Sequence, residues 1–245
     1  MDEKDVVQLT KEVLDSLATI GYEKNNIIST EQLIFPLKNQ AKGTKVIDRI
    51  SEQELRQLFI DKFKKNHPEL YYSIETPTHL KYKFGKIFDK FEYNENGKSA
   101  LHDMCVFSNS LHEYCRIFNL EFKSKNPNVN GIGKDILKLV SEKQNGAFIH
   151  LLKNTNKNTL CNNIQTGIFD KFFKSFCDFQ KCWSGDESKY ILIVILSLEQ
   201  NTRRTKAPIL MHQKIKKCDL QRLEEIFKYC NLQNAKDKGW NIQMI

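Results

Sequence analysis

The stretch SALHDMCVFSNSLHEYCRIFNLEFKSKN, residues 99–126, decides the fold that this sequence predicts. It is rich in aromatic and other apolar residues, which indicates two β-strands joined by a short excursion. Side chains alternate between the two faces of a sheet along a strand. Leu120 and Phe122 therefore share an apolar face, and Glu121 and Lys123 share the opposite face.

The first of the two strands adds a second carboxylate, Asp103. Neighbouring strands lie about 4.8 Å apart, and residues two apart on one strand lie roughly 7 Å apart. If the strands pair, we expect Asp103 and Glu121 to share one metal ion, with Lys123 a step further along. Mg²⁺ prefers one or two carboxylates together with water and phosphate oxygens, and it polarises a phosphate and activates a bound water. The stretch therefore predicts a site that cleaves phosphodiester bonds with Mg²⁺, for which Mn²⁺ is the expected substitute.

An Asp on one strand followed by Glu-x-Lys on the next resembles the motif of the PD-(D/E)xK nuclease superfamily, which includes many restriction endonucleases and related defence and repair nucleases. The resemblance covers residues 51–152 and implies a helix, a three-stranded meander, a second helix and a further strand. It predicts an α/β (α+β) fold with a restriction-endonuclease-like core, in which helices flank a mixed central sheet. The sequence departs from the family in one place, because His102 stands where the family has Pro.

The resemblance also implies a role for each matched residue. Asp103 and Glu121 would bind the metal, and Lys123 would complete the catalytic site. The family often adds an acidic residue from the preceding helix, for which Glu54 is the first candidate and Glu52 the second. With these roles the chain would be a Mg²⁺-dependent endonuclease that hydrolyses DNA.

The charge of the chain is consistent with a nucleic-acid partner. The 245 residues carry a net charge of +8, which favours a polyanion, although the abundance of Lys and Asn could give the same charge without a binding reason. Nothing in the sequence reports on the 2′-hydroxyl of RNA, so DNA is the first prediction and an RNase is an alternative. The residues predicted to bind the phosphate backbone are Lys125, Lys134, Arg203 and Arg204. Lys138 follows the same stretch and could also face the phosphate backbone, but a helix charge exposed to solvent is an equally good interpretation.

Other interpretations of the same residues stay open. The chain could be a non-catalytic nucleic-acid-binding or adaptor protein on a nuclease-like fold, or Glu121 could lie on the charged outer face of an edge strand. A second Glu-x-Lys, Glu187 to Lys189, lies in a polar segment and is interpreted as solvated charge. His102 and His150 are either catalytic or, more commonly for a lone strand histidine, structural. Glu113, in the excursion between the two strands, is interpreted as an exposed loop carboxylate.

The chain divides into a small helical segment, residues 1–45, and a nuclease-like domain, residues 46–245. The first is too short for a core of its own, so we expect it to pack on the domain or on a partner. The sequence shows no obvious separate unit for reading a target. We therefore expect targeting by self-association, such as a homodimer, or by a partner such as a helicase, in restriction or antiviral defence.

The compartment follows from cysteines and hydropathy. Seven scattered cysteines without a C-x-x-C pair indicate reduced thiols and a cytoplasmic protein. The longest apolar run, residues 190–198, is too short to span a bilayer and is predicted to form a central buried strand. We therefore predict a soluble protein without a membrane partner.

Several local patterns predict individual elements. Ser51 with Glu54 three residues later predicts a capping box, and the helix that it opens should stop at His67. The turn signal at residues 94–98 predicts that residues 86–93 pair with residues 99–107. Two further predictions are a short amphipathic piece over residues 29–37 and a final helix over residues 219–230.

Overall fold

The computed structural model describes residues 1–22, 32–35, 51–84, 91–110, 113–199 and 207–245. Its helices are α1 (Glu3–Thr19), α2 (Glu52–Asn66), α3 (Val129–Ser141), α4 (Lys157–Leu160), α5 (Ile168–Phe179) and α6 (Leu223–Phe227). Its strands are β1 (Gly21–Tyr22), β2 (Ile34–Phe35), β3 (Tyr71–Phe84), β4 (Phe91–Tyr93), β5 (Lys98–Ser110), β6 (Glu113–Ser124), β7 (Asn145–Leu152), β8 (Tyr190–Ser197), β9 (Ile209–Lys216) and β10 (Asn241–Met244).

Eight strands form one mixed sheet in the order β10-β9-β8-β7-β6-β5-β3-β4. The pairs β6–β7 and β7–β8 are parallel, and the other pairs in this sheet are antiparallel. The short strands β1 and β2 form a separate parallel pair. The predicted α+β class, with a mixed sheet flanked by helices and a helix near the N-terminus, is confirmed. The finer identity, a restriction-endonuclease-like core, stays a prediction.

The sheet separates two apolar cores. Helices α1 and α2 cover one face, where the rings of Phe59 and Phe122 lie 5.3 Å apart between centroids. Helices α3 and α5 cover the other, where the rings of Phe148 and Phe172 lie 5.0 Å apart. Strand β8 is buried along its whole length because it lies inside the sheet between both cores, as its uninterrupted apolar sequence predicts.

Helices α1 and α2 begin where their sequences provide caps. Asp2 accepts backbone N–H groups at the start of α1, and Ser51 forms the predicted capping box with Glu54. The predicted stop at His67 is also confirmed, because His67 is the C-cap of α2. The two helices pack on each other, and α1 also contacts β8 and β9.

The predicted pairing of residues 86–93 with residues 99–107 is wrong for residues 91–93, and residues 86–90 lie outside the described part of the chain. Strand β4 pairs instead with β3, which in turn pairs with β5, so β3 lies between them. Tyr82 of β3 is opposite both Tyr93 and Lys98, because the turn after β4 carries the chain across the end of β3. Pro77 does not end β3, since the register shift that follows it takes up the irregularity.

Two further predictions need correction. The final helix is shorter than expected, because a 3₁₀ turn over residues 217–221 precedes α6 and the chain becomes extended at Lys228. Of the amphipathic piece at residues 29–37, only residues 32–35 are described, and Ile34–Phe35 is a strand that pairs with β1. In the described ranges, no helix is long and apolar enough to cross a bilayer.

Candidate active site

The candidate site lies at the end of the β5–β6 pairing, where a side chain of β5 replaces the backbone as the hydrogen-bond partner of β6. The pairing of the two strands runs from Ser110 opposite Glu113 to Met104 opposite Leu120. Immediately beyond this point, the Asp103 carboxylate accepts the backbone N–H of Phe122, with 2.7 Å between Oδ2 and N. Asp103 therefore lies against β6, beside the Glu-x-Lys segment that the sequence singled out.

Glu121 lies on the α3 side of the sheet and is fully buried. Strand alternation explains this position, because Leu120 and Phe122 point into the core beneath α1 and α2. Each carboxylate oxygen of Glu121 has a partner. Oε1 lies 2.6 Å from Nδ1 of His102, and Oε2 lies 2.6 Å from Nζ of Lys138.

Helix α3 brings a carboxylate and an ammonium to the same place. Asp135 and Lys138, one turn apart, are in contact with 2.8 Å between Oδ1 and Nζ. The other oxygen of Asp135 lies 2.9 Å from Nζ of Lys123, and Lys138 also donates to the Leu101 carbonyl at 2.8 Å. The strand charges and the helix charges thus form one continuous network.

Helix α2 contributes Glu52, the second-ranked candidate, and not Glu54. Oε2 of Glu52 lies 3.6 Å from Nζ of Lys123. The carboxylate of Glu54 instead accepts the backbone N–H of Ser51 and closes the helix cap. The capping box and the predicted metal role compete for the same carboxylate, and in this structure Glu54 forms the cap.

The carboxylates of this network are poorly stabilised as anions. Burial raises the pKa of Asp103, although the Lys138 charge opposes the shift. Burial likewise raises the pKa of Glu52. Burial raises the pKa of Glu121 well above its usual range; the Lys138 charge opposes this shift, and the Asp135 and Asp103 charges add to it. Asp135 is the exception, because Lys138 and Lys123 overcome its burial and lower its pKa.

Both lysines are held in the charged form. Burial lowers the pKa of Lys123, but the Asp135 and Asp103 carboxylates reverse the shift and raise it above the usual value. Lys138 behaves in the same way, with Asp135 and Glu121 outweighing its burial. A lysine that keeps its proton cannot act as a general base near neutral pH. Lys123 is therefore suited to stabilising negative charge on a phosphate or to holding a water molecule.

His102 and His150, the two histidines considered from the sequence, are neutral. Burial lowers the pKa of His102 well below its usual range, and burial lowers the pKa of His150 to about 4. His150 contacts the Lys125 carbonyl, with 2.8 Å between Nε2 and O, and this supports the structural interpretation. His102 contacts Glu121 directly, while its buried Nε2 lacks a hydrogen-bond partner in the described structure. His102 therefore orients the Glu121 carboxylate without contributing a charge.

Only two of the four predicted phosphate-binding residues fall in the described part of the chain. Lys125 and Lys134 are exposed on the segment that follows β6 and on α3, and Arg203 and Arg204 lie outside the described residues. Glu113 is exposed, as predicted, but it is the first residue of β6 and not a loop residue.

The interpretation of the second Glu-x-Lys as solvated charge is wrong for its lysine. Glu187 is exposed, but Lys189 is buried and donates to the carbonyls of Val140 and Glu142 at the end of α3, at 2.7 Å from Val140. The reason is that α3 leaves its last carbonyls without intrahelical partners, and a lysine can satisfy them.

The donor chemistry and charge of the network fit a divalent cation. Among the described residues, four carboxylates, those of Glu52, Asp103, Glu121 and Asp135, face two ammonium groups, those of Lys123 and Lys138. Two carboxylates would therefore lack a cation if all four were ionised, and the raised pKa values of Glu52, Asp103 and Glu121 agree with that shortage. In the described part of the chain, no three His, Cys, Asp or Glu side chains are grouped to hold a metal ion together. Mg²⁺ needs only one or two carboxylates, and water and phosphate oxygens complete its shell.

Sequence reasoning missed the part of the site that comes from α3. Asp135 was not singled out, and Lys138 was expected on a solvated or phosphate-facing surface, whereas its side chain is 5% exposed. The available signal was spacing, because Asp135, Lys138 and Glu142 recur at i, i+3 and i+7 and therefore share one helix face. All three are buried.

No protein-family model, curated protein or solved structure matches the chain.

Proposed function

We propose that the protein is a metal-dependent endonuclease that hydrolyses DNA phosphodiester bonds. One observation carries the proposal: Asp103, Glu121 and Lys123, which match the Asp and Glu-x-Lys of the PD-(D/E)xK motif, belong to one charge network, in which Glu121 is fully buried and Asp103 and Lys123 are partly buried. The order of elements from α2 to β7 agrees with the order that the resemblance implies, with β4 as an addition. The excess of carboxylates supplies the electrostatic reason to bind a divalent ion.

Each residue has a role that its surroundings allow. Asp103 and Glu121 would hold Mg²⁺ or Mn²⁺, and Glu52 lies at the edge of the network with its side chain 34% exposed. The bound ion would polarise the phosphate and lower the pKa of a water molecule. Lys123 keeps its proton and would offset the negative charge that develops on the phosphate. His102 and Lys138 hold the two oxygens of Glu121 in place.

The proposed substrate is DNA, with RNA as the competing substrate. The net charge of +8 favours a polyanion, and Lys125 and Lys134 are exposed close in sequence to the site. Targeting by self-association or by a partner such as a helicase, in restriction or antiviral defence, stays a prediction from the sequence.

The test compares cleavage of supercoiled plasmid, linear duplex and single-stranded RNA with Mg²⁺, with Mn²⁺ and with chelator. We expect cleavage of DNA that chelator abolishes. Lys123→Met should reduce the rate by at least about 10²-fold, because it removes a charge that acts in the transition state. Lys174→Met is the matched control, since Lys174 is an exposed lysine on α5 that pairs with Asp178. Thermal unfolding followed by circular dichroism checks that both variants fold. Metal-dependent cleavage that survives Lys123→Met would refute the assignment.

A non-catalytic nucleic-acid-binding protein is the second candidate. The observation that favours it is that both oxygens of Glu121 are engaged by protein groups and the side chain is fully buried. This candidate predicts that the protein binds duplex DNA with equal affinity with and without metal, and that Glu121→Gln leaves binding unchanged. Fluorescence anisotropy with labelled duplex separates the two candidates.

A further inference from the structure

The ammonium of Lys138 lies between the carboxylates of Glu121 and Asp135, the position that a bound metal ion would take between two acidic ligands. Its ammonium lies 2.6 Å from Oε2 of Glu121, 2.8 Å from Oδ1 of Asp135 and 2.8 Å from the carbonyl oxygen of Leu101. These contacts use all three donors of the ammonium. A buried charge is tolerated only when its hydrogen-bonding groups are satisfied, and this one is satisfied by two anions and a carbonyl.

Each carboxylate beside Lys138 also has a second partner. Glu121 contacts His102 through its other oxygen, and Asp135 contacts Lys123 through its other oxygen. Withdrawal of the Lys138 ammonium would therefore leave Glu121 with a hydrogen-bonding partner and Asp135 with an ion-pair partner, because Oδ2 of Asp135 meets Lys123 at 2.9 Å without hydrogen-bonding geometry. Lysine is suited to such withdrawal, because its charge sits at the end of a flexible four-carbon stem.

We propose that Lys138 is the resident cation of this site, which neutralises Glu121 and Asp135 in the metal-free protein and competes with a divalent ion for them. The inference rests on the proposed function in so far as it takes the site to bind such an ion. It adds a control on metal binding: the ion must displace an ammonium that is already in place. The protein therefore binds the divalent ion more weakly than its carboxylates alone would allow.

The test measures Mn²⁺ binding to the full chain by isothermal titration calorimetry and by electron paramagnetic resonance, without nucleic acid. Lys138→Met should tighten Mn²⁺ binding by at least about ten-fold, or about 1.4 kcal/mol, because one competing charge is removed. Lys174→Met should leave the affinity unchanged, since its charge lies on the surface of α5. Unchanged or weaker binding by folded Lys138→Met would overturn the proposal, and so would a failure of both wild type and variant to bind.

A second variant, Lys138→Gln, tests the same proposal if Lys138→Met folds poorly. Lys138→Gln keeps a hydrogen-bonding group and removes the charge, and Mn²⁺ should raise its melting temperature more than that of wild type, because a ligand stabilises the state that binds it more tightly. An equal or smaller rise would count against the proposal. Mn²⁺ binding that Lys138→Met tightens, together with absent cleavage, would refute the nuclease function and leave this inference intact.

Discussion

Replacement of Lys138 by Met tests how the buried charges of the site are balanced. The side chain is 5% exposed, and its ammonium is in contact with the carboxylates of Glu121 and Asp135. Met fills a similar volume but leaves the two buried anions with one cation fewer. Removal of one partner from a buried ion pair costs about 3–5 kcal/mol, so we expect the free energy of unfolding to fall by that amount near neutral pH.

The loss should depend on pH. Without the ammonium, Glu121 is even more readily protonated, and protonation removes the charge that has lost its cation, whereas Asp135 keeps Lys123 at 2.9 Å. The destabilisation should therefore be smaller at about pH 5 than at about pH 8. Glu121→Gln in the Lys138→Met background should restore part of the stability at the higher pH, because a neutral amide needs no counter-ion.

The assay is urea unfolding followed by circular dichroism at both pH values. The control is Lys174→Met, which removes a surface lysine whose Nζ lies 3.1 Å from Asp178, and exposed pairs of this kind are worth at most about 1 kcal/mol. A loss for Lys138→Met as small as that of the control, or a loss equal at both pH values, would show that this reasoning about buried charge is wrong.

Three further predictions concern neighbouring residues. Glu54→Ala should lower the free energy of unfolding by about 1 kcal/mol in urea denaturation and leave Mn²⁺ affinity unchanged in calorimetry, because Glu54 closes the helix cap, whereas Glu52→Ala should weaken Mn²⁺ binding. Phe122→Ala should cost about 3–5 kcal/mol in the same denaturation, because the ring is fully buried against Phe59; a cost below 1 kcal/mol would contradict this packing. Glu121 has a raised pKa in the folded state, so its contribution to stability is fully present below its unfolded pKa and is lost as the pH rises through the folded pKa. Wild-type stability should therefore fall with pH by up to about 1.4 kcal/mol per unit more than that of Glu121→Gln, and parallel pH profiles would contradict the shift.

The parts of the site that follow from strand alternation were predictable from the sequence. A period of two fixes which residues of β6 share a face, so the separation of Glu121 and Lys123 from Phe122 needed no tertiary information. The capping box at Ser51 was predictable for a similar reason, because its contacts span three residues.

The elements that depend on distant contacts were not predictable in this way. The position of β3 between β4 and β5 is decided by which strand the turn after β4 crosses, and local turn signals do not report that. Charged residues on helices are mostly solvated, so the burial of Lys138 becomes evident only when Glu121 is placed opposite it. Glu54 also fitted two roles from sequence, and only the geometry of the cap separates them.

Asp103 has a structural role as well as its place in the candidate site, because its carboxylate accepts a hydrogen bond from the backbone N–H of Phe122. This carboxylate takes the place of a backbone hydrogen bond between β5 and β6. A substitution at position 103 would therefore weaken the pairing of these two strands as well as change the charges of the candidate site. Among the described residues, Lys123 bridges no pair of strands: its ammonium contacts the side chains of Glu52 and Asp135 and the Phe122 carbonyl of its own strand. We therefore expect substitutions at position 123 to leave the pairing of β5 with β6 intact, and substitutions at position 103 to weaken it.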